Sequence, residues 1–165
     1  MINQGMLKKI SPLFLALFTF QVFAFYAEYP KTPDARLTPG KLCELRVTYR
    51  YAERIPYCKR DVLPETKDAI YSAYRRLGYN LNRDNRSDYK IDHFIPLCAG
   101  GSNQPANLWP QHVSIFTQTD PLEYLVCEKM KEGKLRQREA LELIKKGKFN
   151  LSLIPSILHY LENLR

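Results

Sequence analysis

Asp92 and His93 stand side by side in a 165-residue chain, and Asn107 and His112 follow in the same short stretch, Tyr89 to His112. That stretch also carries the only tryptophan, Trp109, and the one Gly-Gly pair, Gly100-Gly101. Together these residue types suit hydrolysis of a phosphodiester. A histidine titrating near neutral pH can take the proton of a water. A divalent cation can stabilise the charge that builds on the phosphate and on the departing oxygen. Hard cations choose carboxylate oxygen, and imidazole also binds many transition ions. Asp92 is then a candidate metal ligand, His93 the candidate base and His112 a second candidate ligand. Asn107 could fix the loop through its amide and so orient His93. No member carries this reading alone. Leu108 and Trp109 read as core, Gly100-Gly101 as a hairpin turn, and His159 as a structural residue.

The elements around these residues must place them. Tyr89 to Ile95 reads as a strand stopped by Pro96, residues 99–103 as a turn, and Asn107 to Trp109 as a short return strand. Neighbours on a regular strand face opposite ways, so Asp92 and His93 can serve one ion only if the strand ends or bulges there. Asp120-Pro121-Leu122-Glu123 has the grammar of a helix start, with Asp120 as cap, Pro121 first and Glu123 closing a capping box. That helix is expected to stop at Gly133. Further helices are expected at 64–78, starting on Pro64, at about 136–146, ending at Gly147, and at 153–165. Strand, glycine turn, strand and helix is the order of a ββα finger, here about residues 89–132. Such a finger can hold one divalent ion between its hairpin and its helix. The expected class is α+β: a ββα-metal finger inside a helix-rich, disulfide-stapled single domain.

The rest of the chain bounds the partner and the compartment. There are 25 Lys+Arg against 17 Asp+Glu, a net charge of +8, which suits a polyanionic partner. Lys8 and Lys9 precede an uncharged apolar run whose core, Leu13 to Phe23, is shorter than the roughly 20 residues a membrane helix needs. This is the pattern of a signal peptide over residues 1–24, cut after Ala24, with Ala27 as the competing site. The competing assignment is an uncleaved anchor or a core helix. Cleavage leaves 23 basic and 17 acidic residues, a charge of +6. Residues 25–42 read as a loose lead-in to a domain over 43–165. Cys43, Cys58, Cys98 and Cys127 have no C-x-x-C pair, which speaks against cysteine-bound zinc and for two disulfides in an oxidising compartment. Cys43–Cys58 with Cys98–Cys127 is the preferred pairing, although spacing leaves all three pairings open. Residues 43–60 mix five basic side chains with three tyrosines, and Arg54, Lys59 and Arg60 are candidates for phosphate contact.

"DHFIPLCAGGSN" followed by "NLWPQ" resembles the HNH endonucleases of the ββα-metal type, and most closely exported, cysteine-containing bacterial HNH-like proteins. The likeness is strong over 89–112 and extends more weakly through "RYAERIPYCKRDV" and "DPLEYLVCEKMKEGKL". It implies His93 as general base, Asp92 as metal ligand, Asn107 as the orienting residue, and a further His or Asn ligand after "NLWP". The zinc knuckle common in that family is missing, and Phe116 stands at the familiar distance of the last ligand. His112 is the substitute chosen, with Gln118 and Asp120 behind it. The resemblance implies a periplasmic or secreted endonuclease with little sequence preference, monomeric and free of the membrane after cleavage. Its cofactor would be one divalent ion, Mg2+ first and Mn2+ or Zn2+ as alternatives. Its partner would be nucleic acid, DNA ahead of RNA. The alternative is a basic module that binds nucleic acid without cutting it, or a structural protein of the envelope.

Overall fold

A computed structural model describes residues 29–81 and 87–164. The expected signal segment, 1–24, lies outside the described residues, as do residues 82–86. In chain order the elements are β1 (Tyr49–Arg50), β2 (Ile55–Pro56), α1 (Pro64–Arg76), β3 (Tyr89–His93), β4 (Leu108–His112), α2 (Val113–Lys131), α3 (Gln137–Phe149) and α4 (Ile154–Glu162). β1 pairs with β2 and β3 with β4, both antiparallel, so the class is α+β and helix-rich. Among the described residues no helix is long and apolar enough to cross a membrane.

The β3–β4 hairpin has its register fixed from Tyr89 opposite His112 to His93 opposite Leu108. The Phe94 N–H donates to the Asn107 carbonyl at 2.7 Å. Hydrogen-bonded pairs alternate along an antiparallel ladder, which makes 92/109 bonded and 91/110 and 93/108 non-bonded. Pro110 therefore sits where its missing N–H costs the ladder nothing. The outward carbonyls of Ile91 and His93 accept instead from Arg60 Nη2 at 2.9 Å and Lys148 Nζ at 2.6 Å. On the other edge, Leu108 O accepts from Thr38 Oγ1 at 2.9 Å. Gly101 closes the turn against the strand, since a Cβ there would stand 1.9 Å from the Ile95 carbonyl oxygen. Gly100 turns the chain with φ +87.

Lys90, Asp92, Trp109 and Gln111 share one face of the hairpin. That face meets α2, where Gln111 Nε2 donates to Thr119 Oγ1 at 2.7 Å. β4 is buried along nearly all its length and packs on both α1 and α2. Ile70, Tyr71 and Tyr74 of α1 join Ile91, Phe94, Leu108 and Trp109 in one apolar cluster. A second cluster lies among α2, α3 and α4, around Leu122, Val126, Ile144 and Leu161.

Three expectations are corrected. The helix expected to begin at Asp120 begins at Val113, with Pro121 inside it. His112 is its cap: Nδ1 accepts from the Ser114 N–H at 3.2 Å. Burial of Ile115 and Thr119 holds this first stretch to the hairpin and offsets the backbone bond that Pro121 cannot make. Gly147 does not end α3, which continues to Phe149. It is buried instead at the crossing with α2, where a Cβ would meet Leu122 Cδ2 at 2.4 Å. Residues 29–42 are not a loose lead-in. Thr38 is fully buried between Tyr74 and β4, and the Gly40 N–H donates to Ala106 O at 2.9 Å.

Both expected disulfides are present, Cys43–Cys58 with Cα atoms 5.7 Å apart and Cys98–Cys127 at 5.8 Å. The first ties the residue before Lys59 and Arg60 to the strand bridge at Leu42 and Gly101. The second ties the turn after His93 to α2. Such bonds belong to an oxidising compartment.

Candidate active site

His93 is the last residue of β3 and still pairs opposite Leu108 in the same unbroken register, so Asp92 and His93 keep the strand's alternation and face opposite sides of the hairpin. The Asp92 side chain points to α2. There Asp120 and Glu123, one helical turn apart and hence on one face, meet it: an oxygen from each carboxylate lies within 4.8 Å of the others. Asp92 is 8% exposed. Its Oδ2 is buried without a hydrogen-bond partner among the described residues, as are Trp109 Nε1 and Gln111 Oε1 at the same interface.

Two lysines balance the carboxylates. Lys90 Nζ is 2.8 and 2.9 Å from the two Asp120 oxygens and 3.4 Å from Asp92 Oδ2. Lys148, with no exposed surface, places Nζ 2.5 Å from Glu123 Oε1. Gly147 makes this reach available by letting α3 settle on Leu122, next to Glu123. Burial pushes the Asp92 carboxyl up, but Lys148, Lys90 and the His93 N–H pull it down further, and it is held below the usual carboxylate range. Glu123 goes the other way. Burial, helped by the Asp92 charge and opposed by Lys148, raises it to about 7.

Three carboxylates within reach of one another, Asp92 buried, Glu123 half-buried and Asp120 exposed, with Asp92 Oδ2 left unsatisfied among the described residues, fit a hard divalent cation. Asp92, Asp120 and Glu123 would hold it. Lys90, whose side chain is 36% exposed, can withdraw from Asp120 into solvent, while Lys148 stays.

His93 is 3% exposed and is held from both sides. Nδ1 lies 3.2 Å from Arg60 Nη1, and Nε2 lies 3.0 Å from Asn103 Oδ1. Asn103 is fixed in turn by donating Nδ2 to the Lys59 carbonyl at 2.7 Å. Burial holds the His93 pKa below the ordinary histidine value; the Arg60 and Lys148 charges lower it further, against the Asn103 bond and the Asp92 charge. Arg60 and Asn103, the two residues that hold this ring, line a cleft of about 470 Å3 together with Leu45, Cys58, Lys59 and Asp61.

Asn107 is fully buried and works on the backbone. Its Oδ1 accepts from Ile95 N at 2.9 Å, and its Nδ2 donates to Ile95 O at 3.0 Å and Ser102 O at 2.9 Å. It thus fixes the strand exit and the glycine turn that carries Asn103, rather than the His93 ring itself.

The structure does not bring His112 to the carboxylates. It lies opposite Tyr89, three residues and roughly 10 Å along the strand from the Asp92–Trp109 pair. There it caps α2 and stacks on Tyr29 with ring centroids 4.0 Å apart. Gln118 also stands aside, its amide on Ser114 O. Lys59 and Arg60 sit at the His93 cleft, but Arg54 does not. Arg54 lies at the tip of the β1–β2 hairpin, over the Tyr49 ring, and that tip packs near Met130, some 15 Å along α2 from Asp120. The sequence reading missed Glu123, Lys148 and Asn103 and ranked Asp120 too low. The available signal was the Asp120–Glu123 spacing, which puts two acids on one face of any helix that runs through them.

Comparison of the chain with protein-family models, with curated proteins and with solved structures finds no match.

Proposed function

We propose that the chain is an exported, metal-dependent phosphodiesterase of the HNH type that cuts nucleic acid, DNA ahead of RNA, with little sequence preference. The observation that carries this reading is Asp92 Oδ2, a buried carboxylate oxygen without a hydrogen-bond partner among the described residues, turned toward two further carboxylates and one position before a clamped histidine in the chain. Asp92, Asp120 and Glu123 would bind the ion, and an all-oxygen set favours Mg2+ or Mn2+ over Zn2+. The ion, when bound, would stabilise charge on the phosphate and on the departing 3′ oxygen. His93 takes a proton from water as the new oxygen–phosphorus bond forms and the bond to the 3′ oxygen breaks. Asn103 holds the base, Asn107 fixes the turn that carries Asn103, and Lys59 and Arg60 hold the sugar–phosphate backbone in the cleft. The two disulfides and the N-terminal signal pattern support export.

A second reading has one observation in its favour. Lys90 and Lys148 already neutralise Asp120 and Glu123, as in a basic module that binds nucleic acid and needs no ion. One experiment separates the two. The mature chain is incubated with plasmid in chelator and then with Mg2+ or Mn2+ restored. Cleavage only with the ion supports the phosphodiesterase. Salt-sensitive binding with no cleavage under any ion supports the binding module.

A further inference from the structure

His93 has no free lone pair. A guanidinium has only donors, so the nitrogen beside Arg60, Nδ1, is the acceptor of that 3.2 Å contact. The ring proton is then on Nε2, where it donates to Asn103 Oδ1 at 3.0 Å. A histidine engaged on both sides and 3% exposed can take a proton from nothing until one partner leaves. Asn103 is pinned by the Lys59 carbonyl and by the glycine turn behind it. Arg60 is the exposed partner, and among the described residues it holds, besides His93, a neutral carbonyl, Ile91 O, at 2.9 Å. Arg60 lines the cleft together with Lys59, and among the described residues Asp61 is the acid in that lining. A phosphate oxyanion offers that guanidinium charge-assisted, two-pronged bonds, which are stronger than bonds to a neutral imidazole and a carbonyl.

We propose that Arg60 is a substrate-released cover on His93: a backbone phosphate entering the Lys59–Arg60 cleft draws the guanidinium off Nδ1 and opens that lone pair, while Asn103 keeps the ring proton on Nε2. Arg60 is thereby a positioning and phosphate-binding residue at once. The inference rests on the phosphodiesterase reading but is tested without cleavage. Chain labelled with 15N-histidine is held in chelator, and the imidazole nitrogen signals of His93 are followed with and without a short DNA duplex. In the free chain Nε2 carries the proton and the Nδ1 signal is displaced by its hydrogen bond. Arg60→Ala should move Nδ1 to the position of an unbonded acceptor without any DNA. The duplex should move wild-type Nδ1 to that same position and leave Arg60→Ala unchanged. Arg60→Lys, which keeps charge but loses the planar fork, should show a partly displaced Nδ1 and guards against a folding defect in the alanine variant. Equal Nδ1 positions in wild type and Arg60→Ala, no response of wild-type Nδ1 to the duplex, or no duplex binding overturns the proposal. A chain that uncovers Nδ1 on binding DNA but fails to cut whichever divalent ion is supplied keeps the cover and loses the phosphodiesterase.

Discussion

Lys148 donates to the backbone carbonyl of His93 at 2.6 Å while its Nζ stands 2.5 Å from Glu123 Oε1. One buried ammonium thus links the residue that carries the imidazole to the second of the two candidate-site acids on α2. Lys148→Met should remove a charge on which Glu123 depends and leave the His93 carbonyl bare. Breaking a buried pair by deleting one partner costs about 3–5 kcal/mol. Urea unfolding of the metal-free protein should show a loss of that size, and a change under 1 kcal/mol, roughly the worth of an exposed pair, would show that the pair is not buried in solution.

The ligand set is open to calorimetry. Asp92→Asn, Asp120→Asn and Glu123→Gln should each weaken binding of Mg2+ or Mn2+. His112→Ala should leave ion affinity as in wild type and lower stability by about 1 kcal/mol, the worth of a helix cap. If His112→Ala lost the ion and Glu123→Gln kept it, the carboxylate set would be the wrong one.

Glu123 gives the metal-free protein a definite pH response. Its carboxyl is raised from 4.5 to about 7, so the folded state favours the proton. The stability this contributes is full below the unfolded value of 4.5 and is lost as pH rises to about 7. In chelator, Glu123→Gln should be less sensitive than wild type to a rise from about pH 5 to about pH 8. The same proton must leave when an ion binds, so ion affinity should climb with pH over that range. Identical pH profiles for the two proteins would remove Glu123 as the titrating group.

His93→Ala should slow cleavage by roughly 10²–10⁴-fold, the usual worth of general-base catalysis, and added ion should not restore it. In wild type the rate should rise with pH as His93 loses its proton, with a midpoint below the ordinary 6.5, because burial favours the neutral ring. Single-turnover rates across pH would show a midpoint at the ordinary value if the ring were exposed when cleavage takes place.

The hairpin was legible in the sequence because its signals are local. Asp92, His93, the glycine pair and Asn107 all lie within the sixteen residues 92–107, and Gly101 and Asn107 are needed by the same close turn. The other half of the site was hidden by a coincidence of grammar. Asp-Pro-Leu-Glu spells a helix start, yet the same four residues also suit a helix already under way when buried Ile115, Thr119 and Leu122 hold it down. Lys148 left no local trace. A lysine near a helix end reads as a solvated charge, and only the crossing of α3 over α2 at Gly147 takes it out of water. His112 drew attention for its chemistry and turned out to serve the backbone, because the strand ends where the helix needs a cap.

The caps on the β3–β4 hairpin also bear on solubility. A sheet of two strands has nothing but edges, and an uncovered edge is a template for another chain. Here Arg60 and Lys148 occupy the outward carbonyls of Ile91 and His93, and Thr38 occupies that of Leu108. The side chains that serve the site on one strand therefore also deny that strand to a neighbour. The Arg60→Ala/Lys148→Met double variant should self-associate at concentrations where wild type stays monodisperse, which light scattering of the metal-free proteins would read directly.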